Sequence, residues 1–272
     1  MAPDVRERNN VTVQGEGEQV MLFAHGFGCD QNMWRFVAPT FEDRYRTVRF
    51  DYVGAGGSDI SAYDADRYDR LAGYTQDVLE IVDALDLDDV IFVGHSVSTA
   101  IGMLAAIEAP DRFDRLVLIG ASPCYLNDPP AYHGGFDRAD IEDLLDMMDK
   151  NYIGWADYFA SLIMQQAEAT EVVDELDRSF CSTDPHIARQ FAEVTFLSDV
   201  RDAVPEVSIP TLLVQCRDDI VAPPAVSRWL DEHLPNATLT MLDAAGHCPH
   251  MSHPAATESA MNAYLSPSPA DA

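Results

Sequence analysis

The chain has 272 residues, room for one large domain with an insertion, and carries 46 acidic side chains against 17 basic ones for a net charge of −29. Such a polyanion is a poor partner for nucleic acid or an anionic membrane, both of which are bound through lysine and arginine. Self-repulsion of this size is tolerable where salt screens it, because the Debye length shrinks to about 3 Å near 1 M. With Lys150 the sole lysine, the composition points to a salt-loving source and to greater stability in molar salt.

Apolar runs bounded by turn residues predict strands near 10–14, 19–25, 45–50, 90–94, 115–120, 209–216 and 238–242. Helical stretches are expected between them, near 33–41, 71–86, 97–108, 222–233 and 254–265. That alternation argues an α/β fold with a mostly parallel central sheet flanked by helices on both sides. From 125 to 196 the rhythm changes. No buried strand is expected there, and Ile141–Met148, Tyr152–Gln166, Val172–Phe180 and Pro185–Phe196 read as amphipathic helices. The organisation expected is a core over 1–124 and 197–272, interrupted by a helical cap (lid) over 125–196. Roughly 70 residues without a clear core of their own do not suit a separately folding domain.

The start of the chain has no apolar signal core and no run approaches ~18 apolar residues, so a protein neither exported by a standard signal nor spanning a membrane is expected. Five scattered cysteines without a Cys-x-x-Cys fit reduced thiols in the cytoplasm. His247, His250 and His253 are spaced like metal ligands, but no second ligand cluster joins them, so neither metal nor cofactor is expected. The Ser-Pro-Ser-Pro-Ala-Asp-Ala tail is expected to fray.

The stretch from Ile91 to Ala100 carries the chemistry. A buried-strand pattern, Val90–Val93, runs into the small-residue helix of Val97–Ile107, with Ser96 at the corner. A serine there sits on a tight, strained turn with its hydroxyl aimed at the mouth of the sheet, the nucleophile elbow of serine hydrolases. The pentapeptide alone also fits an ordinary strand-turn-helix, and Ser98 stands where the elbow's last glycine is usual. A serine is small enough for close approach of helix and strand. The strand ending in His25-Gly26-Phe27-Gly28 offers a turn for the negative charge of a tetrahedral intermediate, with the backbone N–H groups of Phe27 and Val97 as donors.

The acid and base of such a site follow later in the chain. Asp218 and Asp219 come just after the apolar run 209–216, and His247 just after 238–242, which puts them at the same sheet edge as Ser96. Asp219 is preferred because it adjoins the apolar Ile220-Val221, with Asp218 the alternative. His250 and His253 lie further along the loop and suit surface or capping roles.

Longer strings carry a resemblance: His25-Gly-Phe-Gly-Cys-Asp-Gln31, Phe50-Asp-Tyr-Val-Gly54, Val93-Gly-His-Ser-Val97, Ser122-Pro-Cys-Tyr-Leu-Asn-Asp-Pro129, Gly134-Gly-Phe136, Asn151-Tyr-Ile-Gly-Trp155, Phe180-Cys-Ser-Thr-Asp-Pro185 and Gly246-His-Cys-Pro-His-Met-Ser-His-Pro254. Over almost its whole length the chain resembles the α/β-hydrolase superfamily, and within it the RsbQ-type group of bacterial hydrolases, related to the plant karrikin and strigolactone receptors. The resemblance implies that Ser96, Asp219 and His247 are nucleophile, acid and base, and it admits serine at position 98. It also implies a small, closed, apolar pocket built from Phe27, Phe136, Trp155, Phe159, Phe196 and Val221, suited to a compact ester or lactone. Two functions follow from it: a serine esterase or lactonase, or a slow ligand-sensing hydrolase that regulates a protein partner, as the RsbQ-type relatives do with a stress-pathway phosphatase. Nucleophilic-aspartate relatives are disfavoured because position 96 is serine.

Overall fold

Four apolar runs bury every side chain from end to end or nearly so, which happens only when both faces of a sheet are covered. They are β2 (Val20–Ala24), β4 (Val90–His95), β5 (Phe113–Ile119) and β6 (Thr211–Asp218). The computed structural model describes residues 4–165 and 170–266. Gln166, the last residue of the helix expected over 152–166, and the tail from Pro267 onward lie outside the described residues. With β1 (Thr12–Gln14), β3 (Arg46–Arg49) and β7 (Ala237–Ala245), these strands form one seven-stranded sheet in the order β1-β3-β2-β4-β5-β6-β7. All neighbours are parallel except β1, which caps one edge antiparallel to β3. The chain leaves β2 toward one edge, through β3, then crosses back to place β4 on the other side of β2. That reversal opens a crevice at the carboxyl ends of β2 and β4, where open α/β sheets bind ligands.

The helices are α1 (Val5–Arg8), α2 (Leu71–Ala84), α3 (Val97–Glu108), α4 (Arg138–Lys150), α5 (Tyr152–Met164), α6 (Thr170–Ser182), α7 (Pro185–Leu197), α8 (Pro224–His233), α9 (Pro249–Ser252) and α10 (Pro254–Leu265). In α2 the buried Leu71, Tyr74, Val78, Ile81 and Val82 follow helical spacing and form one inward stripe. Helix α3 lies close on the sheet because Gly102 has no side chain: a Cβ there would come within 2.2 Å of the Phe92 ring. The helix expected over 33–41 is instead two 3-10 turns, Gln31–Trp34 and Ala38–Phe41. Asp30 caps the first by accepting from Asn32 N, and the bonds that follow close over three residues, Val37 N to Trp34 O and Thr40 N to Val37 O.

Helices α4 to α7 all come from the segment between β5 and β6. The starts of α5 and α7 have local causes. Asn151 accepts from Gly154 N before α5, and Asp184 accepts from His186 N and Ile187 N before α7, with Pro185 at the first helical position. The inner faces of α5, α6 and α7 meet over Phe27, whose ring lies 5.6–6.0 Å from those of Trp155, Phe180, Phe191 and Phe196. A buried aromatic of this kind is worth roughly 1.5–3 kcal/mol of transfer. The aromatic cluster therefore holds the helical segment down on the crevice.

Candidate active site

Ser96 turns between β4 and α3 with φ 56° and ψ −124°, a left-handed backbone that costs an L-residue about 1–3 kcal/mol. The turn is held on both sides: Ser96 N donates to Ile119 O at 3.0 Å, and Thr99 Oγ1 donates to Ser96 O at 2.6 Å. Position 98, where glycine is usual, has a task of its own. The Ser98 hydroxyl donates to His25 O at 2.5 Å and lies 2.9 Å from Tyr52 Oη, tying the end of β2 to the elbow. Nothing in the sequence pattern announces that bond.

A hydrogen-bonded row runs through the crevice. Ser96 Oγ is 2.9 Å from His247 Nε2, and His247 Nδ1 is 2.9 Å from Asp219 Oδ2. A carboxylate only accepts, so Nδ1 carries the proton and the bare Nε2 accepts the Ser96 hydroxyl. Asp219 is 4% exposed and takes further bonds from Val221 N, Ala222 N and Gln215 Nε2 at 2.9, 3.0 and 3.2 Å. Those donors turn its carboxylate inward. Asp218 is exposed, and its carboxylate accepts from Gln165 Nε2 at 3.4 Å. Gly120 makes room for the imidazole: its φ is +59°, and a Cβ there would sit 3.0 Å from His247 Cε1.

The end of α5 braces both loops. Ile163 O accepts from His247 N at 2.7 Å, while Gln165 Oε1 accepts from Ile220 N at 3.3 Å. On the other flank, His95 Nε2 donates to His247 O at 2.9 Å. His250 lies deeper, fully buried with its ring 4.5 Å from that of His95 and 4.6 Å from Trp34. It is not a surface residue, because α9 folds back under the site rather than out to solvent. Burial and the nearby His247 push its imidazole down to about 3, and burial also holds His95 well below the ordinary histidine range. His253 sits at the start of α10, with Nδ1 2.9 Å from Ser252 Oγ.

Phe27 follows β2 and Val97 opens α3 beside Ser96, and neither backbone N–H donates a hydrogen bond among the described residues. The loop carrying Phe27 is fixed by His25. Its Nδ1–H donates to Gly26 O at 2.9 Å, so its Nε2 accepts Tyr52 N at 3.1 Å and laces the loop to the turn after β3. Gly28, at φ +69°, faces the Phe180 ring so closely that a Cβ would come within 1.8 Å.

Beside Ser96 lies a cavity of about 20 Å³, lined by Phe27, Phe159, Phe196 and Val221 with His247 and Thr195. That is space for one water. Phe136 and Trp155, also expected there, stand one shell back: Phe136 packs on Phe196 at 6.0 Å and Trp155 stacks on Phe159 at 5.4 Å. The sequence reading missed Ile163, Cys29 and Cys248 in the wall, and Thr195, whose buried hydroxyl has no partner among the described residues. A separate concavity of about 660 Å³ along α7, walled by residues such as Asp69, Arg70, Arg189, Glu193, Val194 and Leu197, has none of these groups in its walls.

A parallel sheet with a strained strand-to-helix turn at its switch point and a carboxylate-oriented imidazole beside it is the architecture of an α/β hydrolase. Residues 19–254 match the family described as the alpha/beta hydrolase fold, and the chain belongs to that family. Among its relatives are a karrikin insensitive 2 receptor of Petunia hybrida, 38% identical over 92% of this chain and 93% of the relative, and a strigolactone esterase of Pisum sativum, 38% identical over 93% and 95%. A solved structure of a hydrolase from Oleispira antarctica is 45% identical, with a TM-score of 0.94 and 96% of each chain covered. Among the described residues no helix is long and apolar enough to cross a membrane.

Proposed function

We propose that the protein is a serine hydrolase that opens a small, apolar ester or lactone through an acyl-serine. In this reading Ser96 attacks the carbonyl carbon as His247 Nε2 takes its proton, and Asp219 stabilises the imidazolium that forms. The amides of Phe27 and Val97 bond the oxyanion. His247 then protonates the departing alcohol, and water, activated by the same imidazole, releases the acid. The observation that carries the reading is the row Asp219–His247–Ser96, with both contacts at 2.9 Å and all three side chains buried. The helical segment acts as a lid: a cavity of about 20 Å³ admits no ester until α5 to α7 shift. The small apolar walls favour acetate and butyrate esters over long acyl chains.

A second reading is a slow ligand sensor with a regulatory protein partner. It is favoured by the grip of the α5 end on the Asp219 and His247 loops, which links lid position to the triad. The test is a panel of short and long aryl esters and butenolide-like lactones, followed in high salt through burst and steady phases. Ser96→Ala is expected to lose at least about 10³-fold of the activity. Full activity in that variant, or faster turnover of long acyl esters, refutes the reading. Rapid steady turnover favours the enzyme; one burst followed by near-silence favours the sensor.

A further inference from the structure

We propose that Tyr125 is a further catalytic residue, whose phenol donates a hydrogen bond to Ser96 Oγ and speeds release of the acyl group relative to its capture. The inference rests on Ser96 being the nucleophile. Tyr125 Oη lies 3.2 Å from Ser96 Oγ, and the contact is buried. Either atom could donate on distance alone, but the proton inventory decides it. Ser96 has one hydrogen, and the bare Nε2 of His247 takes it at 2.9 Å. The hydrogen between Ser96 and Tyr125 is therefore the phenol's. Burial pushes the Tyr125 phenol up, so it stays protonated at any pH where the imidazole works.

The hydroxyl is positioned from both ends. Tyr125 O accepts from Phe136 N at 3.1 Å, the next residue pairs with Phe136, and the ring meets Phe196 edge-on at 5.4 Å. Tyr125 is not among the residues that wall the 20 Å³ cavity. It reaches the nucleophile from outside that cavity, 3.2 Å from Ser96 Oγ.

A donor on Oγ lowers the basicity of that oxygen, with opposite consequences in the two halves of the reaction. In acylation Oγ is the attacking atom, and lower basicity weakens it. In deacylation Oγ is the leaving atom. Water oxygen bonds to the acyl carbon and gives a proton to His247 Nε2; the C–Oγ bond breaks, and Oγ takes that proton. Charge builds on Oγ as the bond breaks, where the Tyr125 hydrogen bond strengthens. The phenol keeps its own proton throughout.

The test is Tyr125→Phe, which keeps the ring against Phe196 and removes the donor. Formation and decay of the acyl-serine are followed separately, by rapid quench and intact mass with p-nitrophenyl acetate. Decay is expected to slow about 3- to 10-fold, the worth of one neutral hydrogen bond, while formation stays constant or rises. An equal fall in both constants, or no change in either, overturns the proposal. If the parent carries no acyl group on Ser96, the serine mechanism fails as well, and the parent alone shows it. A melting temperature matching the parent confirms that Tyr125→Phe folds; should it not, 3-fluorotyrosine at position 125, a stronger donor, must accelerate decay.

Discussion

His250 offers a measurement of how dry the underside of the site is. Its ring lies fully buried between Trp34 and His95, and neither nitrogen has a hydrogen-bond partner among the described residues. Desolvation is the main reason its imidazole titrates at about 3; the charges of His247 and Arg35 push the same way. In the unfolded chain a histidine titrates near about 6.5. The folded value is the lower one, so the unfolded chain binds a proton that the folded protein refuses. Stability is therefore complete above about pH 6.5 and is lost as the pH falls toward 3. At about 1.4 kcal/mol per pH unit, the loss between pH 6.5 and 5 is about 2 kcal/mol from His250 alone. His95 adds to it in the same direction. His250→Phe keeps a ring against Trp34 and removes that titration. Urea unfolding in high salt at pH 7 and pH 5 is expected to show the parent losing about 2 kcal/mol more than the variant. Equal losses in the two proteins would mean that His250 is hydrated or charged in the fold, and the reasoning would be wrong.

Two further outcomes are expected. Asp219→Asn lowers kcat on a short aryl ester by about 10³- to 10⁴-fold, because the imidazole loses its oriented tautomer, whereas Asp218→Asn leaves it nearly unchanged; a reversed order would mean that the outward carboxylate turns in during turnover. Raising KCl from about 0.1 to about 2 M raises the melting temperature as the net charge of −29 is screened, and an equal or lower value would detach the acidity from salt adaptation.

Much of the molecule was legible along the chain because its signals are local. Apolar runs such as Val90–Val93 and Leu212–Cys216 need no partner to be recognised as strands buried on both faces, and Ser96 between such a run and a small-residue helix marks an elbow. Ser, Asp and His each follow a strand, so parallel pairing brings them to one edge whatever the loops do. The stretch 33–41 misled because its apolar spacing also fits short turns packed under a sheet.

The tertiary structure alone decided what depends on which atoms face each other. The apolar neighbours Ile220 and Val221 favoured Asp219 over Asp218 in sequence, but what holds its carboxylate inward, the amides of Val221 and Ala222 with Gln215, appears only in the fold. His250 looked like a loop residue until α9 folded beneath Trp34. Tyr125 belongs to no motif spacing that points at Ser96; a sheet and a helical segment distant in the chain bring the two hydroxyls to 3.2 Å. Periodicity records whether a side chain is inside, but the partner it meets there is set by packing between segments that share no local signal.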